Sequence, residues 1–192
     1  VTLSSTSEYL TMINSIINYE NLNSGQSVNL SGFSFMLDLG TKHNENLNLF
    51  IEITEGQNVW TSQINIDVQG FDFEIVNYLS ADGTAINPGE VQGILVTLSN
   101  FGSIMSENIS GTLSTENSYL EITTSVVNWT SIISGGFQES PNPFILDIGN
   151  SIMNGTPVPF TLSLESENGF SKEINFEIPV GRILDTDPTG PD

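Results

Sequence analysis

The sequence predicts an all-β protein made of tandem antiparallel β-sandwich modules, the first of them lacking its N-terminal strands. Three observations lead there. Segments such as ILVTLSN and KEINFEIPV alternate apolar with polar residues and use Val, Ile, Thr and Phe, which suit a pleated, half-buried surface. Turn formers interrupt the chain at short intervals, with 17 Gly and 8 Pro in 192 residues. The chain also repeats itself.

VTLSSTSEYLTMINSIINYENLNSG, at residues 1–25, returns as GTLSTENSYLEITTSVVNWTSIISG at residues 111–135. Leu3 matches Leu113, Tyr9 matches Tyr119 and Leu10 matches Leu120, each at an offset of 110. Ile16-Ile17-Asn18-Tyr19 matches Val126-Val127-Asn128-Trp129. FMLDLG (35–40) matches FILDIG (144–149), where the offset slips by one. Ile64-Asn65-Ile66-Asp67-Val68 then regains the offset at Ile174-Asn175-Phe176-Glu177-Ile178. Matches in this order identify a repeat rather than chance similarity among strands. They divide the chain into a partial module at 1–70, a complete module at 71–182 and a linker toward a further module at 183–192. Residues 71–110 have no counterpart before Val1. The first module is therefore expected to be completed by neighbouring domains of the same parent protein or by another chain, which would cover Leu10, Met12, Ile17, Leu37, Leu39, Ile51 and Ile64.

Within the complete module, strands are expected near 71–78, 91–99, 107–114, 118–123, 125–130, 143–148, 157–164 and 172–179. ADGTAINPGE, NFGSIMSE, SGGFQESPNP, GNSIMNGTP and SENG supply the turns between them. Alternation points Ile94, Val96 and Leu98 to one face and Leu95, Thr97 and Ser99 to the other. Phe160, Leu162 and Leu164 face inward, with Thr161 and Ser163 outward. Pro157 and Pro159 suit an edge or the first residues of a strand. The expected core is Ile94, Val96, Leu98, Leu120, Ile122, Trp129, Leu146, Leu162 and Phe176.

Charge bounds the partners. Three bases (Lys42, Lys172 and Arg182) stand against 23 acids, a net charge of −20. Nucleic acid is excluded, because phosphate binding needs clustered Lys and Arg, and anionic membrane surfaces are disfavoured by the same repulsion. No apolar run approaches the ~20 residues that cross a bilayer, so no membrane insertion is expected. With no cysteine, the chain has no disulfide, thiolate nucleophile or Cys-based zinc site.

The stretch INPGEVQGILVTLSNFGSIMSENISGTLST carries a recognisable pattern. Asn87-Pro88-Gly89-Glu90 precedes a strand, Leu98-Ser99-Asn100-Phe101-Gly102 follows it, and the next strand runs into Leu113-Ser114-Thr115. This resembles the CARDB-type, immunoglobulin-like modules of secreted multidomain bacterial proteins, with Phe101 standing where those modules commonly carry Thr. Such modules are found beside gingipain-type or subtilisin-type peptidase domains. The resemblance implies immunoglobulin-like sandwiches, an extracellular or cell-surface location, and a non-catalytic role as spacer or docking segment. Physically the motif is punctuation: Pro88 pre-sets φ, Gly89 can take positive φ, Asn87 can bond its own backbone, and Asn100-Phe101-Gly102 is expected to form a hairpin between two core strands.

Residues with catalytic chemistry are sparse. His43, the one histidine, lies in the polar stretch GTKHNENLN, and the nucleophile elbow G-x-S-x-G is missing. The carboxylate pairs Asp72/Glu74 and Glu165/Glu167 are the spacing a strand face gives by itself on an acidic sheet. No enzyme and no cofactor are expected. Calcium is the ion that carboxylate and amide oxygens would take, and two loops bring them together: Asp82, Asn87 and Glu90 in one turn, Asp185 and Asp187 in the tail. The alternative function is therefore carbohydrate-binding or calcium-dependent adhesion, with Trp60, Tyr78 or Trp129 available to stack on sugar.

Overall fold

The computed structural model describes residues 1–38 and 41–181 and divides the chain into two compact units, residues 1–69 and the residues from 70 onward. Among the described residues there is no helix, and every strand pairing is antiparallel. The linker expected at 183–192 and the inward residue Leu39 lie outside the described residues.

The first unit contributes β1 (Thr2–Ser5), β2 (Leu10–Asn14), β3 (Ser34–Leu37), β4 (Asn46–Glu55) and β5 (Asn58–Asp67). β1, β4 and β5 form one sheet in that order, and β2 pairs with β3 in another. Period-two alternation puts Leu47, Leu49, Ile51 and Ile53 of β4 on one face, beside Leu3 of β1 and Ile66, Ile64 and Trp60 of β5. Only part of that face is covered. Leu3, Leu10, Leu47, Leu49 and Val68 are buried together, while the whole of β5 is exposed. Of the residues expected to need an outside partner, Leu10 is buried within this unit, Met12, Ile17 and Ile51 are half-buried, and Leu37 and Ile64 are exposed.

The second unit runs through β6 (Phe73–Ser80), β7 (Val91–Asn100), β8 (Ile109–Ser114), β9 (Leu120–Thr124), β10 (Val126–Trp129), β11 (Phe137–Glu139), β12 (Phe144–Ile148), β13 (Pro157–Ser166) and β14 (Ser171–Pro179). One sheet has the order β10-β8-β13-β14; the other is β11-β7-β12-β9, with β6 also on β7. The two sheets share one core, a sandwich-like arrangement in which Ile94, Val96, Leu98, Trp129, Phe144, Leu146 and Leu162 are fully buried. Leu120 is buried as well, and Ile122 and Phe176 are half-buried against the same cluster. Pro157 opens β13, where a missing N–H costs least.

The short strand β11 falls inside the turn cluster SGGFQESPNP, where three residues between glycines and prolines carry no period. It forms because β7 offers a free edge: Phe137, Gln138 and Glu139 pair with Ser99, Leu98 and Thr97. Ser140 then closes the edge, its hydroxyl oxygen accepting from the Val96 N–H at 3.1 Å. Both edges of β7 are thus paired toward its end, and Thr97 and Ser99, expected outward, are buried.

Asn100-Phe101-Gly102 is not a hairpin. β7 and β8 belong to different sheets, so the motif is a corner that carries the chain from one sheet to the other. The reason is the Asn100 side chain, fully buried at the end of β7. Its Oδ1 accepts from Gly102 N at 2.9 Å and Asp72 N at 3.2 Å, while its Nδ2 donates to the carbonyls of Ile104 and Ile132, both at 2.9 Å. Gly102 packs against the backbone of residues 70–72 so closely that any Cβ would collide with it. Trp129 of β10 needs similar room, since a Cβ on Gly111 would fall 2.5 Å from its ring. Trp129 is buried, whereas Tyr19, its counterpart in the repeat, is exposed.

Asn100→Ala should therefore destabilise the second unit by at least about 3 kcal/mol, because several backbone groups lose their partner at about 1–3 kcal/mol for each one left buried. Phe101→Ser, on an exposed side chain of the same corner, should stay within about 0.5 kcal/mol. Urea denaturation at unchanged m-value separates the two.

Candidate functional site

The turn joining β6 to β7 is where the sequence placed its first calcium candidates. Gly83 adopts φ +72° and its N–H donates to the Ser80 carbonyl at 3.1 Å, which folds Asp82 back over the strand ends. Asp82 Oδ1 then accepts from Ser80 Oγ at 2.7 Å, Thr84 N at 3.0 Å and Thr84 Oγ1 at 2.8 Å. Gln92 Nε2 of β7 reaches Oδ2 at 3.4 Å and Thr84 Oγ1 at 3.0 Å. The Ser80 hydroxyl first, then the Thr84 amide and hydroxyl, hold the Asp82 carboxyl well below the usual aspartate range. Donors surround this carboxylate and stabilise its ionised form.

Asn87 and Glu90 stand further along the same turn. Asn87 Nδ2 donates to Glu90 Oε2 at 3.1 Å, so its side chain bonds its neighbour's carboxylate and not its own backbone. Gly89, at φ +83°, donates its N–H to the Ile148 carbonyl at 2.7 Å, and Ile148 N returns a bond to Glu90 O at 3.0 Å. The N-P-G-E motif thereby clips the turn to the end of β12. Asp185 and Asp187 lie outside the described residues. Among the described residues, no three His, Asp or Glu side chains gather as a metal cluster.

The other polar candidates serve the fold. Asp72 Oδ1 accepts from Lys172 Nζ at 2.7 Å and from Phe73 N at 2.9 Å, joining the start of β6 to β14. Its neighbour Glu74 is exposed on β6. His43 is half-buried in the turn before β4, where Asn44 takes φ +62° and its N–H donates to Val68 O at 2.9 Å. The three aromatics part company. Trp129 is core, 6.1 Å from the Phe144 ring centre, and Trp60 is half exposed. Tyr78 donates its hydroxyl to Glu177 O at 2.7 Å, and burial first, then the Glu177 charge, pushes its pKa up.

One surface depression was not legible in the sequence. A groove of about 580 Å³ runs along the outward side of β8, β13 and β14, lined by Ser114, Thr161, Ser163, Glu173, Asn175 and Glu177 among others. These are the polar partners in the alternation that buries Leu162 and Leu164, and Thr161 Oγ1 donates to Asn175 Oδ1 at 2.7 Å within it. Alternation marks such residues as outward; it does not say that their surface is concave.

No protein-family model matches this chain, and no curated protein matches its sequence.

Because the Asp82 pKa is lowered on folding, its contribution to stability is complete above the ordinary aspartate value of about 3.9 and disappears as pH falls through the folded value. A carbon-detected NMR titration should find Asp82 ionised at about pH 3, where ordinary aspartates are mostly protonated. Ser80→Ala should move its midpoint toward the ordinary value.

Proposed function

We propose that this chain is a non-catalytic, immunoglobulin-like spacer or docking segment of a secreted or cell-surface multidomain bacterial protein, with its two units as tandem modules of one repeat. The observation that carries the reading is where the distinctive polar side chains are directed. Asn100, Asp82, Gln92, Asn87 with Glu90, and Asp72 with Lys172 all bond within the second unit, fastening corners and strand ends. The N-P-G-E and N-x-G residues of the resemblance to CARDB-type modules are among them, and each has a structural task. A net charge of −20 adds a solvated acidic coat, which disfavours anionic surfaces as partners.

The second reading is carbohydrate-binding or calcium-dependent adhesion. The groove along β8, β13 and β14 favours it, because it is open and carries hydroxyl, amide and carboxylate groups. A glycan array probed with and without millimolar calcium separates the two. The spacer reading expects background signal in both conditions. Glycan binding that disappears in Asn175→Ala, or on chelation, would replace it with adhesion.

A thermal melt completes the test. Self-repulsion of the acidic coat means that sodium chloride should raise the midpoint by screening. Calcium at matched ionic strength should give the same midpoint. A further rise of several degrees in calcium alone would establish an ion site.

A further inference from the structure

The two units share a framework, and the shared part shows what the first unit leaves open. Leu3 N donates to Ser15 O at 2.8 Å, as Leu113 N does to Ser125 O at 2.8 Å, and the bridge Thr2–Ile16 matches the pair Thr112–Val126. β2 and β3 pair as β9 and β12 do, and β4 and β5 as β13 and β14 do. In the second unit, β6 and β7 complete this framework. β7 lies along β12, and β6 lies over the row Phe170, Ile174 and Phe176 at β14. Phe170 sits 4.9 Å from Phe71 and 5.7 Å from Phe73, and Phe176 sits 5.5 Å from Tyr78.

The positions that β6 and β7 cover are uncovered in the first unit. Trp60, Ile64 and Ile66 stand 110 positions before Phe170, Ile174 and Phe176. Their strand partners agree too: Leu49 opposite Ile64 and Leu47 opposite Ile66 match Leu162 opposite Ile174 and Phe160 opposite Phe176. Trp60 is 51% exposed, Ile64 43% and Ile66 36%. On the other sheet, Phe35 and Leu37 hold the pairing positions of Leu146 and Ile148, which are fully buried, yet both are more than a third exposed. Among the described residues β3 pairs only with β2, whereas β12 pairs with β7 as well as β9. The bare row and the bare edge are the two places that a single β6–β7 hairpin occupies in the second unit.

Resting on the docking reading above, we infer that the first unit receives a strand pair of β6–β7 character from outside residues 1–192. One strand adds along the free edge of β3 and the other lays aromatic side chains over Trp60, Ile64 and Ile66. Unpaired N–H and C=O groups on β3 supply the backbone bonds, and the exposed apolar row selects the side chains. The occupant is not the hairpin of a second copy of this chain. There Phe73, Ile94, Val96 and Leu98 are already fully buried in the second unit, and donating them would open that core.

The chain contains two tryptophans, Trp60 half exposed and Trp129 buried, so acrylamide quenching of the whole protein reports mainly on Trp60. The probe is a fluorescein-labelled synthetic peptide with the sequence of residues 70–102, titrated into the 192-residue chain. Saturable binding should appear in peptide anisotropy, with a blue shift and at least a twofold loss of quenching. Ile64→Asn with Ile66→Asn should weaken binding at least tenfold. Phe50→Asn, on the opposite face of β4, should change it less than twofold. A peptide with Phe71, Phe73 and Tyr78 replaced by Ser tests the same contact without altering the chain, and it should not bind. Absent binding, or binding indifferent to these changes while circular dichroism stays native, overturns the inference and leaves the spacer reading to the glycan and calcium tests. Concentration-dependent self-association that disappears in Ile64→Asn, and that the peptide does not compete, overturns it in favour of a second copy.

Discussion

The buried side chain of Asn100 sets the form of the second unit. It lies where β7 ends and the chain must leave one sheet for the other, and it bonds residues 72, 102, 104 and 132 at once. A primary amide has two donor hydrogens and an acceptor oxygen with two lone pairs, so Asn can satisfy both kinds of backbone group at a corner where no sheet ladder reaches them. An aspartate could only accept, and a leucine could do neither. Gly102 lets the entering backbone of residues 70–72 lie against the corner, and Ser103 N donates to Gly70 O at 2.9 Å to hold it there. Start of β6, end of β7 and the loop before β11 are thereby fixed together, and the core between the sheets closes around that point.

From this corner the roles of the remaining polar residues follow. The end of the sandwich that holds Asn100 also holds the Asp72–Lys172 ion pair. At the other end, the Asp82 turn ties the β6–β7 connection to β7 through Gln92, and the clip of Gly89 on Ile148 ties it to β12. Loops at the ends of a sandwich are where such folds place binding residues, and here the described polar groups in those loops face one another. The groove lies instead on the outward side of the strands. On that side Glu173 and Glu177 line the β14 groove.

Much of this was legible from residues alone. Period-two alternation located the strands of the complete module to within about two residues and named its core, because burial on one face leaves no freedom in register. The turn cluster at 134–143 hid β11, a strand made by the vacant edge of β7 rather than by its own composition. The N-x-G motif read as a hairpin because Asn and Gly favour turns locally. Only the sheet to which each flanking strand belongs distinguishes a hairpin from a corner, and that is a tertiary fact. In the candidate calcium turn the sequence showed three oxygen-bearing side chains close together. It could not show that Ser80, Thr84 and Gln92 aim their donors at Asp82. The groove escaped notice for the same reason.

The repeat also shows how a framework drifts while its core persists. FMLDLG and FILDIG match letter for letter at four positions, yet Leu10 faces Leu37 in the first unit and Leu120 faces Ile148 in the second. By sequence Leu37 corresponds to Leu146, so the pairing has slipped by two residues. Leu3 opposite Ile51, against Leu113 opposite Leu162, shows the same slip on the other sheet. A slip of one would have turned every inward side chain to solvent, whereas a slip of two leaves each on its face and moves it along the strand. Both sheets of the first unit have moved by that permitted step. The apolar row of β5 and the side chains of β3 consequently keep their inward orientation, although nothing among the described residues of that unit covers them as β6 and β7 cover their counterparts.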